Sequence, residues 1–200
     1  MTTPSSEFLA DLFVHVSRQV AQGPASGLSG AQWSALRFVA HANRFSRQPS
    51  AFASYHGTTR GTASQTLKSL VGLGYLEKQL SQSDRRSVTF NITETGLSIL
   101  ESDPQQALVR ALGSLDPERK RLLNQMLVVL DASLKSTGQG KKQLFGNCTD
   151  CSYFEECSAT TDICHYQGNV ALVKKEEVGQ LCCRFSPKNE ISLRPIDATQ

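Results

Sequence analysis

Between residues 50 and 92 the hydrophobic period changes once, and that change constrains the fold more than any other feature of the chain. Apolar residues recur at helical spacing from Ser50 to Tyr55 and again from Thr59 to Leu73. The break between the two runs is His56-Gly57-Thr58, which has the glycine that a tight helix-to-helix turn needs. After Gly74 the pattern becomes Tyr75 to Leu80, a polar tip from Ser81 to Arg86, and a run from Ser87 to Ile92 that alternates with period two, which reads as a β-hairpin.

Helical patterns flank this segment. Thr3-Pro4 reads as a cap for a helix carrying Phe8, Leu9, Leu12, Phe13, Val16 and Val20, ending at Gly23-Pro24. A second helix opens near Ser29 with Trp33, Leu36, Val39 and Ala40 on its apolar side. Downstream, helix is expected over Thr93 to Glu101 and Gln105 to Leu112, interrupted at Asp103-Pro104. Asp116-Pro117 then caps a long helix bearing Leu122, Leu123, Met126, Leu127, Leu130 and Leu134. Ser136 to Gln143 has linker composition.

Helix, turn, helix and hairpin in that order describe a winged helix-turn-helix, so the expected class is mainly α with a small β-wing. The division that follows is residues 1–135 for DNA binding and dimerisation, 136–144 as linker, 145–187 as a cysteine-rich metal-binding unit and 188–200 as a tail. In such modules the second helix of the turn enters the major groove and the wing approaches the backbone or minor groove. Ala63, Leu67, Leu70 and Val71 form the inward stripe of that helix. Arg60, Thr62, Ser64, Gln65 and Lys68 are left outward, with side chains suited to base edges and phosphates. Arg85 and Arg86 at the hairpin tip suit the negative potential of a minor groove. The competing reading of the helix face is an ordinary solvated surface. The expected partner is double-stranded DNA.

Charge agrees with this placement. Residues 1–140 carry 14 Lys and Arg against 10 Asp and Glu, whereas residues 141–200 carry 7 against 8. No stretch is apolar for the roughly 18 to 20 residues that a membrane-spanning helix requires, and the N-terminus has no basic segment followed by an apolar one, so the expected location is the cytoplasm. The apolar faces of the first and long helices exceed what one winged domain covers, which points to a homodimer. Catalytic constellations such as Ser/His/Asp, H-E-x-x-H or a phosphate-binding glycine loop are missing from the sequence, which leaves little for the rival reading, a metalloenzyme or electron carrier with an incidental helix-turn-helix.

All six cysteines lie after residue 147. In a cytoplasmic chain such a cluster reads as metal-binding or redox-active. The candidate ligands are Cys148, Cys151, Cys157, Cys164 and Cys182. An iron-sulfur cluster would take Cys148, Cys151 and Cys157 with a distant fourth, and zinc would take Cys148, Cys151, Cys164 and one of Cys182-Cys183. A metal-free thiol switch is the third reading. Side chains of adjacent residues in an extended segment point oppositely, so Cys182 is expected to bind and Cys183 to turn away.

The run Gly57-Thr58-Thr59-Arg60-Gly61-Thr62-Ala63-Ser64-Gln65-Thr66-Leu67-Lys68-Ser69-Leu70, then Gly74-Tyr75-Leu76, Asp84-Arg85-Arg86 and Ile92-Thr93-Glu94-Thr95-Gly96, resembles the MarR family of regulators. The resemblance implies a homodimer with interlocking terminal helices that reads two halves of a pseudo-palindrome. By position it makes Arg60, Thr62, Ser64, Gln65 and Lys68 groove or phosphate contacts and Arg85 and Arg86 wing contacts. The wing departs from the family at Ser81 and Ser83, where a further Asp and Arg are common. The spacing C-x2-C-x5-C is similar to cluster-binding segments of FNR-type oxygen regulators and WhiB-like proteins. Some MarR-like chains share a tail opening Phe-Gly-x-Cys-x-x-Cys with later cysteines matching Cys164 and Cys182, which leaves Cys157 without a counterpart.

Overall fold

The computed structural model describes residues 3–21, 27–80, 88–136 and 143–188. The helix stop at Gly23-Pro24, the wing tip with Arg85 and Arg86, most of the 136–144 linker and nearly all of the 188–200 tail lie outside the described residues.

The first helix, α1, is Ser6–Ala21. It starts later than Thr3-Pro4 suggests, because Ser5 is the cap: its Oγ accepts the Phe8 N–H at 3.2 Å, satisfying one of the free donors of the first turn. Helix α2 (Gly30–His41) opens with a reciprocal capping box, in which Ser29 Oγ accepts from Gln32 N at 3.2 Å and Gln32 Oε1 accepts from Ser29 N at 2.8 Å. Proline at the first position of α3 (Pro49–Tyr55) presets the helical φ. Gly57, at φ +66°, makes the turn into α4 (Arg60–Gly72), and Thr58 N closes it by donating to Ala53 O at 2.9 Å.

The hairpin pairs β1 (Leu76–Leu80) with β2 (Val88–Ile92), antiparallel, in the register Leu76 to Ile92 and Lys78 to Phe90. Its inner residues Leu76 and Phe90 join Trp33, Leu36, Phe38, Val39, Phe52, Ala63, Leu67 and Leu70 in one core. Phe90 N also donates to Arg47 O at 2.8 Å, which ties the hairpin to the loop between α2 and α3.

Helix α5 (Glu94–Leu100), capped by Thr93, and α6 (Gln106–Gly113) follow. At their junction Asp103, nearly fully buried, pairs with Arg37 of α2 at 2.7 Å. Helix α7 (Pro117–Ser136) begins where Asp116 Oδ1 accepts the Arg119 N–H at 2.8 Å. The apolar side chains Phe8, Leu12 and Phe13 of α1 and Leu122, Met126, Leu130 and Leu134 of α7 stand about half exposed or more.

The cysteine-rich segment is a second small sheet, β3 (Phe154–Glu155), β4 (Thr161–Cys164) and β5 (Ala171–Lys174), antiparallel in that order. These strands are too short to leave a periodic signal in the sequence.

Candidate nucleic-acid interface and cysteine cluster

Helix α4 is fixed at its start by Thr59, whose Oγ1 accepts the Thr62 N–H at 3.1 Å, and along its length by the buried Ala63, Leu67 and Leu70. That stripe turns Arg60, Thr62, Gln65 and Lys68 outward into solvent and leaves Ser64 half-buried. The Thr62 hydroxyl is already engaged, 2.9 Å from the Thr59 hydroxyl.

Arg60, Ser64 and Lys68 line a groove that is closed on its other sides by Gln48, Pro49 and Ser50 at the start of α3 and by Lys78, Val88 and Phe90 of the hairpin. Three cations thus share this groove, and no carboxylate is among the described residues lining it. Lys78 had no assigned role from the sequence. Its signal was the hairpin register, which sets it opposite Phe90 beside α4, but only the actual strand pairing reveals it. Gln65 lies off this groove on the exposed face of the helix, where a side-chain amide suits a base edge.

The cysteine cluster is assembled by turns and bridges. Asn147 Oδ1 accepts from Thr149 Oγ1 at 2.6 Å and from Asp150 N at 3.3 Å, and Cys151 N donates to Cys148 O at 3.0 Å, so the C-x-x-C folds as a tight turn. Bridges pair Gly146 with Cys182 and Cys151 with Pro187, while Cys164 ends β4 opposite Phe154. Gly146 admits no side chain, because a Cβ there would meet the Phe185 ring at 2.7 Å.

Cys148, Cys151, Cys164 and Cys182 are all buried. The Cys148 thiol is pushed up to about 12, first by burial and then by the neighbouring sulfurs of Cys182, Cys151 and Cys164, with Glu177 adding to them. Burial also raises Cys182, against the opposing effect of the Asn43 side chain and of the Arg184 N–H, which donates to Cys182 Sγ at 3.4 Å. Cys148 is therefore near enough to the sulfurs of Cys182, Cys151 and Cys164 to feel their charge. As placed, no three His, Cys, Asp or Glu side chains among the described residues are grouped so as to hold a metal ion.

Cys157 stands apart and exposed, its Sγ 3.7 Å from Glu155 O and its N–H donating to Asp162 at 3.1 Å. His165, beside Cys164, instead meets Glu155 Oε2 at 2.7 Å. Cys182 and Cys183 point oppositely. The Cys183 side chain packs into the helical core and its N–H donates to Ser46 Oγ at 2.8 Å. Arg85 and Arg86 lie outside the described residues.

The segment from α2 through the first strand of the wing carries the likeness to known proteins. Residues 26–87 match the MarR family. It is a family of transcription regulators, not of enzymes. A search of curated proteins found no match to the chain. Among solved structures the chain is similar to Streptococcus pneumoniae FabT in complex with DNA, at 22% identity over 66% of this chain and 95% of that one, with a TM-score of 0.48. It is also similar to a MarR transcriptional regulator from Methanosarcina mazei Go1, at 23% identity over 66% and 99%, TM-score 0.49. A third is the S. aureus MepR-DNA complex, at 16% identity over 66% and 100%, TM-score 0.46. No helix among the described residues is long and apolar enough to cross a membrane.

The cysteine-rich unit lies outside the MarR match and docks directly on it. Leu181 N donates to His41 O at 2.8 Å and Asn43 N donates to Leu181 O at 3.0 Å, forming a parallel bridge at the end of α2. Arg44 Nη1 pairs with the buried Glu177 at 3.0 Å, and its Nη2 donates to Leu172 O. Phe145 packs edge-on against Phe38 and Tyr55, with centroids 6.4 and 5.3 Å apart. Arg184 lies over the Phe45 ring at 4.3 Å. The MarR-like core and the cysteine unit thus share packing at the loop that leads into α3.

Proposed function

We propose that the chain is a transcription regulator that binds double-stranded DNA as a homodimer, reading a pseudo-palindromic operator with α4 and contacting phosphates with the groove beside it. The observation that carries this is the grouping of Arg60, Lys68 and Lys78, with Ser64, around one groove in a MarR-matched segment. Clustered cations give the salt-dependent phosphate term, and Gln65 and Thr62 on the outer face give base contacts. The half-exposed apolar residues of α1 and α7 support the dimer, because a second copy is the partner whose matching helices cover both faces at once. Arg85 and Arg86 are assigned to the wing contact on sequence alone.

The tail holds a metal centre ligated by Cys148, Cys151, Cys164 and Cys182 in this reading. Support comes from the donor set: four buried cysteines, among which the ionisation of Cys148 is disfavoured by burial and by the other three sulfurs, a cost that a cationic centre would compensate. The resemblance to FNR-type spacing rested on Cys157, which is exposed and apart, so Cys164 takes its place. Four cysteine sulfurs are a donor set for either an iron-sulfur cluster or a zinc ion, and the cluster is the reading proposed, with a structural zinc site as its rival. Such a cluster supplies redox chemistry, which would make the tail a sensor of redox state, oxygen, nitric oxide or iron supply. The chain's own part is to bury the sulfurs, donate the Arg184 N–H to Cys182 and hold the unit against the loop before α3.

The test is a mobility shift on the chain's own upstream DNA with protein purified without oxygen, alongside its absorption spectrum and its iron, sulfide and zinc content. Retarded DNA with brown, air-bleached protein supports both halves. Retarded DNA with colourless protein holding one zinc per chain rejects the sensor and leaves a structural site. Unretarded DNA rejects the regulator.

A further inference from the structure

Asn43 is 1% exposed, at the end of α2 where the chain enters the loop to α3. Its Oδ1 accepts from Ser46 Oγ at 2.8 Å, while its Nδ2 is buried without a hydrogen-bond partner. Native interiors rarely leave an amide donor unpaired, so an orphan of this kind marks an acceptor of a particular state. The backbone indicates which acceptor. In the parallel bridge Ala42 pairs with Leu181, so the next residues along, Asn43 and Cys182, are neighbours with side chains on the same side. A thiol is a weak acceptor, whereas an anionic sulfur accepts strongly. The Arg184 N–H already donates to Cys182 Sγ from the other direction.

We propose that Asn43 is the outer hydrogen-bond donor of the thiolate centre: its Nδ2–H donates to Cys182 Sγ when that sulfur is held as a metal-bound thiolate, and the contact ties the centre to the DNA-binding segment. This rests on the metal reading of the four cysteines. The linkage is short. Asn43 Oδ1 holds Ser46 Oγ, Ser46 Oγ accepts the Cys183 N–H at 2.8 Å, and Gln48 N donates to Ser46 O at 2.7 Å immediately before Pro49 opens α3. Arg47, between them, accepts from Phe90 N of the wing. A centre that releases Cys182 leaves Asn43 unpaired and frees a turn that sets both the start of α3 and the position of the hairpin.

Full-length wild type, Asn43→Asp and Ser46→Ala are purified without oxygen and their metal measured, followed by its release to a chelator and by DNA affinity in loaded and stripped forms. Asp keeps the acceptor for Ser46 but has no N–H, so Asn43→Asp is expected to hold metal 10- to 100-fold more weakly, the usual effect of losing an outer-shell partner. Ser46→Ala is expected to keep its metal within a few-fold and to lose most of the difference in DNA affinity between loaded and stripped protein. Should Asn43→Asp fail to fold, the side-chain amide of Asn43 in 15N-labelled wild type gives the answer without a mutation: on loading with zinc, chosen because it is diamagnetic, the resonance shifts and its protons exchange more slowly. Folded wild type that binds neither iron nor zinc removes the metal reading itself. Loaded wild type with an unmoved Asn43 resonance, or with Asn43→Asp as tight as wild type, overturns the Asn43 assignment alone. A Ser46→Ala protein with an undiminished loaded-to-stripped difference overturns the transmission.

Discussion

Arg44 and Glu177 form an ion pair at 3.0 Å that joins the loop after α2 to the cysteine-rich unit, with the carboxylate buried and the guanidinium partly exposed. Glu177 also accepts the Lys174 N–H at 3.2 Å, so its carboxylate is committed to the buried side of the joint. Removing Arg44 leaves that buried charge with less compensation, while the exposed half of the pair is screened by solvent. Arg44→Ala is expected to lower stability by about 1 to 3 kcal/mol. The check is urea denaturation together with the rate at which a thiol reagent labels the buried cysteines. Labelling faster than global unfolding shows the unit detaching first, and an unchanged rate and midpoint contradict the docking role.

The cysteines divide four and two. Serine at position 148, 151, 164 or 182 is expected to abolish bound metal, and Cys157→Ser to leave it intact. Cys183→Ser changes a residue packed in the helical core, so it is expected to cost some stability and no metal. Metal analysis of the six single variants tests this, and a Cys157→Ser protein without metal would restore the C-x2-C-x5-C ligand set.

The exposed leucines of α7 predict concentration-dependent stability. Leu130, half exposed, and Leu134, 60% exposed, are the side chains a second copy is expected to cover. Sedimentation of wild type at micromolar concentration should give twice the chain mass, and Leu130→Glu should shift it toward monomer. A wild-type monomer removes the argument for paired half-sites.

Phosphate and base contacts should separate by salt. Lys68→Ala and Lys78→Ala are each expected to weaken binding to all sequences and to flatten the salt slope by about one. Gln65→Ala should instead change preference at one base position by about 1 to 3 kcal/mol. Fluorescence anisotropy over a range of salt concentrations distinguishes the two patterns.

The helix-turn-helix was legible because its period is strong and its turn needs a glycine, so Gly57 and the stripe Ala63, Leu67 and Leu70 mark it without reference to the rest of the chain. Lys78 was not, since its position beside α4 follows from which residue of β2 it faces, and pairing register is a tertiary property. The tail sheet escaped for another reason. With β3 two residues long and β5 four, no alternation can accumulate, and bridges to Gly146, Leu181 and Pro187 do the work that long strands do elsewhere. Cysteine spacing pointed to a shared site, but it could not separate Cys157 from Cys164, because the distinction depends on Cys164 lying with Asp162 on the buried face of β4 while Cys157 lies exposed ahead of that strand. The docking of the unit on Asn43 and Ser46 was invisible too, since ordinary polar residues in a loop carry no mark of burial by a distant segment.

DNA binding by α4 and its groove is tested by a nuclease footprint on the chain's own upstream DNA, comparing wild type with a variant in which Arg60, Lys68 and Lys78 are all alanine. Two α4 helices in a dimer should protect two symmetry-related half-sites centred about one helical turn, roughly 10 base pairs, or a multiple of it apart. That paired protection is expected for wild type, and its loss in the triple variant with the fold intact by circular dichroism. Protection equally strong in the triple variant, or none in wild type at low salt, would contradict it.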